Sequence, residues 1–305
     1  MSDRSAASSL TAAGFLTIAS ACWGGNIFIG RLVHAEVPPV GLSFWRWVLA
    51  LAILLPFAWP HLKRDWPEIR QHWRSLALLA VFGMAAFHTA LYLSVNFTTA
   101  TNAALLVAIC PVLVPVLSWV LYREPITARI VLATIISLAG VAVIVTRGDP
   151  AQLMGLRFNA GDLTMLAAVL FWSLYTVLVK RRPPGLHPQS LLTATTAIAV
   201  ALLLPFYLLE TAVFRVMPVT VDSLLTVAYV VIFASLLAFF CFNRGIEVLG
   251  PNKGGLFMHL VPVFAALLAF VFLGERLQGF HALGIAAIVS GIVLASWGRG
   301  LGRRA

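Results

Sequence analysis

The chain has 305 residues, of which 61% are hydrophobic and 10% charged, with a formal charge of +10, and its mean hydropathy is +0.95. That leaves too little polar surface to cover a soluble globule, and the apolar runs approach about twenty residues without the short alternation of a membrane barrel, so the spans are helices in a lipid bilayer. Lys and Arg cluster in short loops between those runs, where they act as orientation signals and exclude nucleic acid as the partner.

Taken in order, a polar nonapeptide leads into a first apolar span, residues 10–32. A signal peptide would need a basic start, and here Asp3 offsets Arg4. The second span, 40–59, follows Pro38-Pro39 and is expected to end at Pro60, ahead of the cationic loop HLKRDWPEIRQHWR. Spans 75–94 and 101–122 are joined by a few polar residues around NFTTAT, a link short enough to make them antiparallel neighbours. Span 129–145 is followed by the long polar connection RGDPAQLMGLRFNAGD. The second half then runs through 161–179, 190–209, 224–242, 254–273 and 280–297. The expected fold is therefore an all-α polytopic membrane protein of ten transmembrane helices, five in residues 1–150 and five in 151–305.

The two halves are related. At a shift of 151 residues, the stretch from Ala103 to Thr127 recurs from Gly254 to Gln278, placing Pro111 over Pro262, Glu124 over Glu275 and, further on, Gly140 over Gly291. At a shift of 149, Trp23 meets Trp172 and the run Leu54-Leu55-Pro56-Phe57 meets Leu203-Leu204-Pro205-Phe206. An internal duplication explains both. With the N-terminus in the cytoplasm, fifteen of the 21 Lys and Arg fall on the inner side, five on the outer, and Arg46 inside a span. That bias puts both termini in the cytoplasm. Because each half has an odd number of spans, the repeats are inverted, the architecture that lets one site alternate between two faces.

Ten spans in two halves, the WGGN run from Trp23 to Asn26, Arg46 early in span two and the paired Pro111/Glu124 and Pro262/Glu275 resemble the drug/metabolite transporter superfamily, and within it the EamA-type ten-helix exporters. The resemblance implies a multi-pass transporter of the bacterial inner membrane. Relatives on this frame move amino acids, purines, sugars and drugs, and the likeness is closest to exporters of aromatic amino acids.

The residues themselves suggest what the interior could hold. Met84, His88 and Tyr92 lie four apart on one helical face and shift onto Ser235, Phe239 and Asn243. Trp23 and Asn26 in span one face their counterparts Trp172 and Tyr175 in span six. Together these form an aromatic box with amide and hydroxyl handles, suited to a neutral or aromatic amino acid: ring faces hold the side chain and oxygens accept from the ammonium. Each residue also has an ordinary role. Trp23, Trp172 and Tyr175 could be packing, His88 and His259 could bond a backbone carbonyl, and Asn102 and Asn243 could cap helix ends. Pro111 and Pro262 interrupt the helical ladder halfway along their spans, as static kinks or as hinges. Arg46, between Trp45 and Trp47, is expected to anchor structurally by reaching the interface, the alternative being a direct salt bridge to a substrate carboxylate, and Glu124 and Glu275 are expected to bond at helix ends rather than to gate.

The motifs H-E-x-x-H, G-x-S-x-G, S-x-x-K and the Walker P-loop are missing, so neither an enzyme nor a nucleotide-driven pump is expected. Cys22, Cys110 and Cys241 sit singly inside apolar spans, which excludes a disulfide framework and paired metal ligands; no metal and no cofactor is expected. None of the eleven acids falls at mid-span, so a proton-coupling carboxylate is missing and downhill transport is expected. The expected partners are the lipid bilayer and an amino-acid substrate. A monomer suffices, and the oligomeric state is left open.

Overall fold

A computed structural model describes residues 2–33, 38–94, 96–98, 100–154, 159–180, 182–214, 216–273 and 278–296. Among them there is no β-strand. The long helices are α1 (Ser2–Val33), α2 (Pro39–Gln71), α3 (Trp73–Ser94), α4 (Asn102–Tyr122), α5 (Ala128–Val145), α6 (Ala160–Lys180), α7 (Pro188–Val213), α8 (Val221–Leu249), α9 (Pro251–Phe272) and α10 (Gly279–Ser296). Among the described residues, nine of these, α2 to α10, are long and apolar enough to cross a membrane. Helix α1 carries the first expected apolar span.

One boundary departs from expectation. Helix α2 does not stop at Pro60 but continues to Gln71 with Pro56, Pro60 and Pro67 inside it. Each proline removes a single backbone donor, and past the apolar stretch water can satisfy the freed carbonyls, so the helix persists into the cationic segment read as a loop. The extension has a use: Asp65, 6% exposed, accepts the backbone N–H of His187 at 2.9 Å and so caps the start of α7. His61 and His187 stack beside it with ring centroids 3.7 Å apart. Burial, and after it His61 and Arg64, pull the His187 imidazole below its usual range, with Asp65 opposing, so the stacked ring is neutral at neutral pH.

At the other end of the same helix pair, Glu210 of α7 accepts from the N–H groups of Val40 and Gly41 at 3.1 and 2.6 Å. The missing Pro39 donor and this carboxylate together satisfy the start of α2. Helices α2 and α7 are thus antiparallel and clamped at both ends by an acid from the partner. Helices α5 and α10 form a second antiparallel pair. Arg129 near the start of α5 reaches the carbonyl of Leu294 near the end of α10, and Gly140 meets Gly284. Helix α1 packs on α8 and α9, while α6 packs on α3 and α4.

The α5–α10 contact explains the recurring glycine. A Cβ on Gly140 would lie 2.6 Å from the Gly284 carbonyl oxygen, and one on Gly291 would lie 2.6 Å from that of Ala133. Backbone cannot yield as a side-chain tip can, so only glycine allows this approach. Gly140→Ala and Gly291→Ala should each cost about 1–3 kcal/mol, read as a lowered thermal midpoint of the purified protein in detergent. Unchanged midpoints would place the two helices further apart than described.

Candidate functional site

Backbone irregularities shape the interior. Helix α3 contains a π-helical turn at Val81–Ala85, and α8 contains one at Val230–Leu237. The 151-residue shift superimposes them, since Val81 falls on Ile232 and Ala85 on Leu236. A π turn takes in one extra residue and loosens the regular i→i−4 bonding, leaving carbonyls for other donors. In α8 the carbonyl of Ala234 accepts from Trp23 Nε1 at 3.1 Å and from Arg46 Nη2 at 3.2 Å. In α3 the π turn contains Gly83, against which the Tyr175 ring lies so closely that a Cβ would sit 2.3 Å from its Cδ2.

A second pair of irregularities falls where the prolines are. Helix α4 breaks between Val107 and Cys110, just before Pro111. Helix α9 tightens to 3₁₀ over Gly255–His259, just before Pro262. Nε2 of His259 lies 3.0 Å from the Ala108 carbonyl, and these residues are 151 apart, each the counterpart of the other. Its Nδ1 lies 2.6 Å from Ser137 Oγ. Both ring nitrogens of His259 are therefore committed at the crossing of the two broken helices.

Between these breaks and the π turns the aromatic residues converge on Phe239. Its ring lies 6.1 Å from Trp23, 5.6 Å from Trp172, 5.7 Å from Tyr175, 5.1 Å from Trp47 and 6.0 Å from His88. Trp23 and Trp172, the matched pair, meet edge to face at 4.9 Å. Such pairs contribute roughly 0.5–1.5 kcal/mol each beyond the area they bury, so the cluster holds α1, α2, α3, α6 and α8 together. The Tyr175 hydroxyl donates to Asn243 Oδ1 at 2.6 Å. On the far side of Asn243 lies a groove lined by Arg182, Leu191, Leu192, Phe240, Arg244 and Glu247. Glu247 bridges Arg182 and Arg244 there at 2.7 and 2.6 Å. Asn243 thus touches both the aromatic cluster and the charged groove.

Of the residues singled out in the sequence, Trp23, His88, Trp172, Tyr175 and Phe239 meet in this cluster, with Tyr92 and Asn243 at its polar edges. His88 turns its Nδ1 to the Met84 carbonyl at 3.0 Å. Asn26 lies one turn beyond Trp23 and is half-buried, and His259 stands apart at the helix breaks. Asn102 binds Asp162 at the start of α6. Glu124 joins the end of α4 to α6 through Lys180 at 2.7 Å. Glu275 lies outside the described residues.

Arg46 behaves differently from expectation. It does not reach the interface but is 0% exposed, donating from Nε to Ser235 Oγ at 2.9 Å and from Nη1 to the Tyr92 hydroxyl at 2.9 Å. Trp45 is the exposed aromatic, bonded to Tyr207, whereas Trp47 is wholly buried under the guanidinium. The buried face of α2 runs through Ser43, Arg46, Trp47 and Ala50. Small residues one turn to either side of Arg46 were the signal that it faces inward. Trp47, Phe87, Phe242 and both π turns are the parts of the site that the sequence reading missed.

Among the described residues, no three His, Cys, Asp or Glu side chains come together as a metal site. The EamA-like transporter family model matches the chain twice, over residues 10–146 and 159–297. An uncharacterized transporter of Archaeoglobus fulgidus is 28% identical over 92% of this chain and 96% of that protein. The uncharacterized transporter YyaM of Bacillus subtilis is 25% identical over 90% and 89%. A solved crystal structure at 21% identity, covering 95% of this chain and 96% of that one, superposes with a TM-score of 0.73 and shares the fold.

Proposed function

The chain belongs to the EamA-like transporter family and is a multi-pass membrane transporter, and on that premise we propose that it exports amino acids with aromatic and other neutral side chains by alternating access. The observation that carries the substrate class is the cluster centred on Phe239, which draws rings from both halves and borders hydroxyl, amide and carbonyl groups. Aromatic faces suit an apolar side chain, and the polar edge suits a zwitterionic head group. Sugar phosphates are excluded on this reading, because the cluster offers one cation, Arg46, where two or more negative charges would need compensation.

The proposed frame is ten transmembrane helices in two inverted five-helix repeats, residues 1–150 and 151–305, with both termini in the cytoplasm of an inner-membrane protein. The antiparallel pairing of the equivalent helices α2 with α7 and α5 with α10 supports it, as does the exchange of partners between α1 and α6. Motion is assigned to the breaks at Pro111 and Pro262, where the ladder is already interrupted and the halves meet through His259 and Ala108. Reporter domains fused after Gly148 and after Ala305 should read outside and inside respectively. The same side for both would dismiss the inverted arrangement.

Substrate class is tested by counterflow into proteoliposomes preloaded with tryptophan, challenged from outside with phenylalanine, leucine, a purine base and a hexose phosphate. Exchange with the two amino acids and none with the phosphate is expected. Exchange with the purine alone would move the protein to another cargo, and binding without exchange would make it a sensor.

A further inference from the structure

Arg46 is the strongest unexplained feature of the interior. Of the five N–H groups that a guanidinium carries, three donate, to Ser235 Oγ, the Tyr92 hydroxyl and the Ala234 carbonyl. Its fourth neighbour is the Trp47 ring, 5.0 Å away. All of these partners are neutral. Among the described residues, no ion pair involves Arg46. The contrast within the same chain is direct, since Arg182 and Arg244 at the groove share Glu247. A full charge taken out of water without a counter-charge is among the costliest arrangements a membrane protein can hold.

The same cluster carries two further donors in excess. Trp47 Nε1 and Trp172 Nε1 are buried without a hydrogen-bond partner, on side chains 0% and 1% exposed, and both rings rest on Phe239. One positive charge and surplus N–H donors beside an aromatic seat are the complement of a carboxylate attached to an aromatic or apolar body. From this we infer that Arg46 holds the carboxylate of the transported molecule, with the rings around Phe239 holding its side chain. Ser235 and Tyr92 fix the guanidinium plane through Nε and Nη1, leaving two N–H groups for the anion. The inference rests on the amino-acid reading for its ligand but goes further, because it makes the carboxylate obligatory and the ammonium secondary.

The test uses the full chain purified in detergent and three probes: phenylalanine, phenylalaninamide and 3-phenylpropanoate. The first has both head groups, the second only the ammonium, the third only the carboxylate. Binding is read by calorimetry and by the shift in thermal midpoint. Phenylalanine and 3-phenylpropanoate should both bind, and the amide roughly tenfold to a hundredfold more weakly, the range for losing a charged hydrogen bond. In Arg46→Gln the acid and the amide should bind within about twofold of each other, with Arg46→Lys intermediate. The wild-type comparison stands alone if Arg46→Gln does not fold. Equal wild-type binding of phenylalanine and its amide would overturn the anchor and leave the amino-acid reading standing, and so would Arg46→Gln that keeps the full preference for the acid. Binding of 3-phenylpropanoate but not phenylalanine, lost in Arg46→Gln, would uphold the anchor and sink the amino-acid reading. If none of the three binds, both fail.

Discussion

Trp172→Ala should lower the flux of aromatic amino acids about tenfold or more per folded molecule, the loss expected when a ring seat of this kind is removed. Trp172 touches Trp23, Phe87, Tyr175, Phe239 and Phe242, more of the site's rings than a packing residue at its edge would meet. At 1% exposed, its truncation also leaves a cavity, at a cost of roughly 3–5 kcal/mol. Flux must therefore be normalised to monodisperse protein. Trp172→Phe is the companion variant, since it keeps a ring face and loses only the indole N–H. Leucine flux should fall less than tryptophan flux in both. Flux per folded molecule that stays at the wild-type level in Trp172→Ala would return this residue to packing and remove the cluster as the substrate seat.

A second large effect is expected at Gly83. Three atoms of the Tyr175 ring would lie at 2.3, 2.5 and 2.7 Å from a Cβ there. The ring cannot move away freely, because its hydroxyl is fixed to Asn243 and its face to Phe239 and Trp172. Gly83→Ala should therefore destabilise by about 1–3 kcal/mol, and Gly83→Leu should abolish transport outright. Both act by pushing Tyr175 off Asn243, which also lines the groove. Gly14→Ala is the control, since nothing lies within 4 Å of its Cβ direction and a helical Gly→Ala change is favourable by roughly 0.5–1 kcal/mol. Wild-type flux in Gly83→Ala would mean that the Tyr175–Asn243 bond has no part in passage.

How much of this was legible in the sequence depended on whether a feature left a periodic trace. Trp23 with Trp172, and His88 with Phe239, could be placed together because helical spacing and the internal shift agree on them. Gly140 and Gly291 showed as a recurrence, and the α5–α10 approach supplies its physical reason. Arg46 and Trp47 were misplaced because a tryptophan beside an arginine marks an interface as readily as a core; only the neighbours Ser43 and Ala50 distinguish the two. The π turns left no trace, since inserting one residue into a turn changes bonding and phase but needs no particular residue type. The continuation of α2 past Pro60 was hidden for a related reason: proline removes one donor, and whether a helix ends there depends on what Asp65 and His187 do elsewhere in the fold.

Energy coupling bears on the whole account. The buried carboxylates Asp65, Asp162 and Glu210 each bind a helix start near an end of the bundle and are committed there. His88 and His259, the titratable rings deeper inside, each lie against a backbone carbonyl. With the buried carboxylates committed to helix starts, the proposed export is expected to be driven by the substrate gradient itself. The direct measurement is release of tryptophan from preloaded proteoliposomes containing only this chain. The account predicts saturable release with no pH gradient or membrane potential, at a rate little altered by imposing either. Uphill accumulation driven by an imposed proton gradient and abolished in His88→Ala or His259→Ala would contradict it, and so would release no faster than from protein-free vesicles.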